Sequence, residues 1–486
     1  MPAFRRFRIS SKKILIVFLV AILTVGTARS SGFSIIELSA RGTGMGTAFT
    51  GLADDASALY FNPAGIAFLP GMQFQMDNIL VNGFFRFVPA ATPPGTIVPE
   101  TGFNGLNGLK YQPLGSLFYS QQISERWTMG LGVFAAFGLS GNFTNFKDSD
   151  PEETKFVGRF AGTRDRMENV WLQPTLAYRM TPNSSFAIGP SLVYNHAILE
   201  RSFLNPLDDG LDFGRLAADL IFPGQDKEQA AQSIARMLPE GRARISGTSK
   251  SPGIVIAYLY KHPQGKFGFG ISARNAVVHH FNGQMGFGFT EGSTLEQVVG
   301  RGTFTEAFPS QPIKFSLTTP GTLATGISFN PFGRSIMAFD FRVQDYRRFK
   351  DVPVNFSKTA ADDPAIGTPA EQRLSFDFRN SYNVAVGLEI PLGSKAAIRT
   401  GYLYDRTPVK DASVGPLFPD SSRHKITAGF SKVMGGKEIT MYYDFTQFVN
   451  RTTDVPENAK QWTNGQYRNY AQILGMSFRF GDGLIP

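Results

Sequence analysis

The chain contains no cysteine, so neither disulfide staples nor thiolate chemistry holds it together. It has five histidines and three tryptophans in 486 residues. His279 and His280 are adjacent, so on a strand they point to opposite faces and cannot share a metal. Neither a G-x-S-x-G elbow nor an H-E-x-x-H pair occurs. Catalytic residues, metal ligands and cofactors are therefore not expected. Beyond the N-terminus there is no run of eighteen apolar residues, so no helical membrane span is expected.

Residues 1–30 read as a signal peptide. Arg5, Arg6, Arg8, Lys12 and Lys13 form a basic start, 14–26 is apolar, and Ala28 and Ser30 supply small residues for cleavage after Ser30. The apolar stretch is too short for the alternative, an anchor helix, which needs about 20 residues. Removing the segment takes away six positive charges and no acid, lowering the formal net charge from +9 to +3. The basic balance belongs to the leader and gives no case for nucleic acid.

What remains is rich in Phe (45), Tyr (15) and Gly (51) at a mean hydropathy of −0.10. Near the C-terminus the apolar residues fall on alternate positions. Tyr470, Gln472, Leu474, Met476, Phe478 and Phe480 share one face, mostly large and apolar, and Ala471, Ile473, Gly475, Ser477 and Arg479 the other, mostly small or polar. Arg399, Asp444 and Arg479 would be costly against lipid, so the polar face is assigned to a lumen.

Fourteen strands are expected, near 72–87, 109–123, 126–140, 165–181, 184–201, 242–261, 265–281, 311–329, 334–347, 374–391, 395–407, 422–434, 437–450 and 466–480. Tight turns such as 181–183 and 434–436 alternate with long loops such as 202–241 and 282–310, as in barrels with short and long rims. The fold class is therefore an all-β membrane protein, a 14-stranded antiparallel transmembrane β-barrel over 72–480, with a tail at 481–486. A soluble β-sandwich would gather its aromatics into one core and rarely need so many long strands. Loop segment 226–238 carries a capping Asp226 and helix-spaced apolar residues, and 293–296 reads as a capping box. Such helices would either offer apolar surface over the barrel mouth or only shield its rim.

Residues 31–71 are Gly-rich, short of bulky side chains and unable to build a core alone, which suggests an N-terminal hatch, or plug, inside the lumen. Gly42, Gly44 and Gly46 do not complete a dinucleotide fingerprint, because Thr47 stands where its third Gly belongs. They permit tight backbone turns in a confined space. Asn62-Pro63-Ala64 is a turn signal whose Asn amide can satisfy nearby backbone.

The order of several short segments resembles the FadL-type long-chain fatty-acid transporters of the Gram-negative outer membrane. The matching pieces are ELS at 37–39, ADDAS at 53–57, NPA at 62–64, QPTLAYRM at 173–180, SYNVAVG at 381–387, YDRTPV at 404–409 and PDSSRHKITAG at 419–429. The resemblance implies a barrel closed by a hatch, a ligand groove between outer loops, an inner pocket, and lateral release at a kink in the third strand. It carries the inner pocket onto Phe33 and Ile35, with Gly32 beside them. It carries the hatch motif onto Asn62, Pro63 and Ala64, and the kink onto 137–139, centred on Gly138. A closely packed strand glycine is the other reading of Gly138. Arg201 and Arg379 match the cations placed near a ligand carboxylate, which Arg binds bidentately; both could also be loop-base residues in water.

The implied ligands are long-chain fatty acids, or alternatively aromatic hydrocarbons or other hydrophobic compounds. Outer-membrane lipid, lipopolysaccharide and the barrel-insertion machinery are the implied partners, with a monomeric barrel in the outer membrane. A structural or adhesive barrel is the rival from another class. Such barrels usually end on Phe, whereas Phe480 here is followed by six residues.

Overall fold

The computed structural model describes residues 34–90, 112–142, 156–289, 302–359, 362 and 371–482. The leader, Phe33, the 293–296 box and the last four residues lie outside them.

Fourteen antiparallel passes close into a barrel. They are β1 (Met72–Pro89), β2 (Gln112–Gln122), β3 (Trp127–Phe134, resuming at Gly138–Asn142), β4 (Arg164–Thr181), β5 (Ser184–Phe203), β6 (Gly241–Lys261) and β7 (Phe267–Arg274 and Val277–Phe289). The circuit continues through β8 (Gln311–Thr319 and Thr322–Phe329), β9 (Ile336–Gln344 and Asp351–Phe356), β10 (Glu371–Ser375 and Ser381–Leu392), β11 (Ala396–Asp405), β12 (Arg423–Met434), β13 (Lys437–Phe448 and Arg451–Thr453) and β14 (Gly465–Gly481). β1 pairs with β14 from Gln73–Gly481 to Pro89–Gly465, which removes every free edge at the seam.

The period-two pattern is realised as expected. Ile188, Leu192, Ile256, Leu323, Ile426 and Leu474 point outward and are exposed, while Asp77, Gln173, Arg399 and Asp444 are buried in the lumen. Several passes expected as continuous are interrupted. Pro320 and Gly321 separate the two parts of β8, where Pro has no donor for the ladder. β14 runs through Gly481, and the Asp482 amide donates to Met72 O (2.9 Å), so the tail begins bonded to β1 rather than loose. The loop helix expected at 226–238 is present as Lys227–Met237, with Asp226 accepting from the Gln229 amide (2.9 Å).

Residues 34–71 fill the turn end and middle of the lumen. Their helices, α1 (Ala40–Gly44) and α2 (Ala58–Phe61), are too short to persist alone, so the wall holds them. Gly46 takes φ +62°, and a Cβ there would lie 2.8 Å from Tyr402 N and 3.0 Å from Val386 O. A Cβ on Gly51 would lie 2.6 Å from the Gly326 carbonyl. Facing them, Gly270, Gly326, Gly387, Gly401 and Gly429 on five passes leave room for hatch backbone. Gly44 and Gly46 serve this approach to the wall, whereas Gly42 makes room for the Phe61 ring within the hatch.

Because a Cβ on Gly401 would collide with Gly46 N, Gly401→Val is expected to leave a heat-resistant folded barrel but loosen the hatch. Amide exchange over 42–51 should accelerate by at least about tenfold, about 1.4 kcal/mol of local opening. Unchanged protection would show that the close approach is dispensable.

Candidate functional site

The third pass is where wall and hatch meet. The β2–β3 ladder ends at the pair Leu117–Val133, although β2 goes on pairing with β1 as far as Gln112, and the second part of β3 pairs with β4 to Asn142–Arg164. Among the described residues this leaves a gap in the ladder between β2 and β3. The interruption spans 135–137, and Gly138 restarts the strand opposite Glu168. The kink therefore lies just before Gly138.

Ser34 and Ile35, at the beginning of the hatch, cover this gap from inside. The Ile35 amide donates to Ala136 O (2.8 Å), and Ser34 bridges Phe137. Gln344 of β9 donates to Ser34 Oγ (2.8 Å), and Tyr60 Oη donates to Ile35 O (3.1 Å). Ile35 is fully buried.

Asn62 is tied down behind this segment by three hydrogen bonds. Its Nδ2 donates to Thr50 O (2.9 Å) within the hatch and to Tyr258 O (3.0 Å) on β6, while its Oδ1 accepts from the Ala64 amide (3.2 Å). Pro63 begins the following 3₁₀ turn, Pro63–Phe68, and Ser185 Oγ donates to Ala64 O (2.7 Å). One side chain thus ties two hatch segments to the wall. Charge adds a second anchor. Arg41 of α1 meets Glu389 (2.8 Å) and Asp54 (2.5 Å), and Glu389 also meets Arg399 (2.6 Å). Glu37 pairs with Lys425 of β12.

Two cavities flank this arrangement. The first lies toward the loop end and is walled by Leu199, Phe315, Leu317, Phe349, Phe376 and Phe418 among others. Arg166, on the outward face of β4 and bonded to Glu168, borders it. The second lies directly inside the gap against Ser34, Ala136, Phe137, Arg274 and Arg342.

Arg201 and Arg379 stand at the loop end and line neither cavity. Arg201 pairs with Asp209 (3.3 Å), whose carboxyl is pushed up by burial against the pull of Arg201. Arg379 donates to Thr407 O (3.3 Å), and burial, then Arg406 and Arg451, lower it. The two are not brought onto one cavity. Sequence reasoning missed Arg166, Arg274 and Arg342. The alternation marks Arg274 and Arg342 as lumenal and puts Arg166 on the outward face with Leu172 and Leu176, and nothing local marks any of them as a cavity residue.

The family model described as Outer membrane protein transport protein (OMPP1/FadL/TodX) matches residues 21–481. The Long-chain fatty acid transport protein of Escherichia coli (strain K12) is 23% identical over 478 residues, covering 93% of this chain and 97% of that protein. The crystal structure of a Pseudomonas aeruginosa FadL homologue superposes with a TM-score of 0.73 at 17% identity, over 92% of this chain and 99% of that one. The Pseudomonas putida toluene transporter TodX gives 0.64 at 14% identity, over 93% and 99%.

Asn62→Ala removes three hydrogen bonds and takes a donor from the buried Thr50 carbonyl and an acceptor from the buried Ala64 amide, each costing about 1–3 kcal/mol. Hydrogen exchange at Ala64 and Gly65 should speed up on the order of a hundredfold while strand amides keep their protection. Equal exchange in both proteins would show that these bonds are dispensable.

Proposed function

The chain belongs to the OMPP1/FadL/TodX family of outer-membrane transport proteins, and on that footing we propose that it takes up hydrophobic molecules, with long-chain fatty acids as cargo. The observation that carries the reading is a gap in the barrel wall closed by a removable internal segment, with an apolar cavity above it. An apolar chain entering that cavity is favoured by roughly 25 cal/mol per Å² buried. Its Phe-rich wall supplies the surface.

In the proposed path, cargo passes from the loop end into the apolar cavity. A shift of residues 34–71, with Ile35 leaving Ala136 and the Asn62-Pro63-Ala64 latch yielding, then connects the cavity to the gap before Gly138. Release is lateral, into the membrane. Phe33 is assigned to the same moving segment. Residues 1–30 act as the removed leader and 481–486 as a short C-terminal tail. Arg201 and Arg379, at the loop rim, are assigned to capture of the acid before it enters rather than to its final seat. Binding and gating without covalent chemistry suffice, and a monomeric barrel is enough for the path.

An aromatic hydrocarbon is the second reading. It is favoured by the first cavity, whose lining is apolar apart from Arg166, a residue on the outward face of β4.

Two measurements test the proposal. Since the chain has no cysteine, Ser34→Cys with Phe137→Cys places a unique thiol pair across the bridge. Oxidation should stop fatty-acid uptake into cells and reduction restore it; uptake by the oxidised protein at the native rate would overturn release at the gap. Arg201→Ala and Arg379→Ala should each slow uptake of dilute acid severalfold and leave toluene unaffected. Equal rates with the native protein would withdraw the rim assignment.

A further inference from the structure

The outer surface of β4 to β8 is divided into an apolar band and a charged field above it. On β4 the outward residues Val170, Leu172, Pro174, Leu176 and Tyr178 form the band. It continues through Ile188 and Leu192 of β5 and Ile254 and Ile256 of β6, all exposed. A tilted strand crosses the hydrocarbon in about 9–11 residues, so Val170 already stands at its edge. Long loops of outer-membrane barrels face outward, which makes this the edge of the outer leaflet.

Beyond that edge the same face is charged. Register places Val170, Tyr194 and Lys250 in one row and Arg164, Glu200 and Arg244 in another, nearer the loops. On and between these rows Arg164, Arg166, Arg244, Lys250 and Lys314 point outward, with Glu168 and Glu200 among them. Five cations meet two carboxylates among the described residues there, so the field is positive. It ends at β9 and β10, where Asp351 and Glu371 are exposed. From Val170 to Arg166 the strand climbs about 10 Å, which keeps long basic side chains within reach of lipid headgroups.

The two carboxylates orient the cations without saturating them. Glu200, 8% exposed, lies between Arg164 (3.7 Å) and Arg244 (3.2 Å). Glu168 is shared between Arg166 and His196. Each guanidinium has five donors, and the side chains of Arg164, Arg166 and Arg244 remain 37%, 42% and 49% exposed. Lys250 and Lys314 are exposed and form no ion pair among the described residues. Lys250 stands opposite Tyr194, and Lys314 between Asn282 and Asn355.

We propose that this field is a docking surface for lipopolysaccharide. The phosphates of its lipid A anchor sit against Arg164, Arg166, Arg244 and Lys250, and its acyl chains lie along the apolar band below. Fixed cations at headgroup level attract anionic lipid, and Arg binds phosphate through two parallel N–H bonds. Lipid A stacks clustered phosphates over several acyl chains, the same vertical order as the field and the band. A phospholipid carries one phosphate over two chains and leaves most of the field unmatched. Apart from Arg166, none of these cations borders either cavity. The surface is outside the wall, so the inference stands whether or not the uptake reading does.

Native mass spectrometry of the delipidated barrel in a non-ionic detergent, titrated with lipid, tests the surface. Lipid A with both phosphates should bind at least about tenfold more tightly than the same lipid stripped of phosphate, and more tightly than phosphatidylglycerol. Arg164→Gln, Arg244→Gln, Lys250→Gln and Lys314→Gln together should remove that preference. Lys266→Gln, Arg334→Gln, Lys432→Gln and Lys437→Gln, which remove four exposed cations at the turn end, should leave it intact. Equal binding of lipid A with and without phosphate would overturn the surface. Equal loss in both variants would reduce it to net charge and overturn its placement. Phosphatidylglycerol binding as tightly as lipid A would overturn lipopolysaccharide as the occupant. If the first variant fails to fold because Glu200 loses its partners, Lys250→Gln with Lys314→Gln breaks no described ion pair. That pair is expected to weaken lipid A binding severalfold, and unchanged binding would overturn the surface.

Discussion

Gly46 of the hatch lies against the backbone of Tyr402 and Val386 with no room for a side chain on either surface. The same closeness recurs where Gly51 meets Gly326 and where Met45 meets Gly387. A hatch whose helices are five and four residues long cannot hold its own shape. Its conformation comes from a wall of glycines and from wall donors and acceptors: Asp340 for the amides of 49 and 50, Thr427 for Gly46, Ser328 for Gly51. Such an element is stable only while seated. In the proposed uptake path, that property would let a filled lumen open without unfolding the barrel.

The barrel was legible because alternation is local. Each strand shows its own two faces, and tight turns mark one rim. The hatch seat was not legible, because its other half is scattered over Gly270, Gly326, Gly387, Gly401 and Gly429. None of these means anything until the strands are aligned. The break in β3 shows the same limit. Ala135-Ala136-Phe137 contains no breaker, and the following Gly138 drew attention to itself. The interruption coincides with Ala136 O accepting from Ile35, about a hundred residues earlier in the chain. Arg201 and Arg379 came from resemblance, whereas Arg274 and Arg342 emerge only by comparing every buried cation with its neighbours.

Charge within the lumen is divided between two tasks. Around Arg41 the charges alternate, Asp54–Arg41–Glu389–Arg399, so that each carries an opposite neighbour and the hatch is joined to β10 and β11. Removing one member of such a buried set leaves another uncompensated, at about 3–5 kcal/mol. That asymmetry makes the set a fixed anchor and a poor ligand site. Arg274 and Arg342 lie on the other side of the hatch start with unused donors. The hatch is thus held firmly where nothing needs to pass and is backed by unsatisfied charge where the wall is incomplete.

This division bears on how opening is driven. Moving residues 34 and 35 away from Ala136 and Phe137 exposes backbone groups that the missing β2–β3 ladder cannot take up. The closed state therefore has the advantage in the absence of cargo. A ligand shifts that balance only by the difference between its affinities for the two states. Burial of an apolar tail in the first cavity is available while the hatch is closed, so by itself it does little to open it.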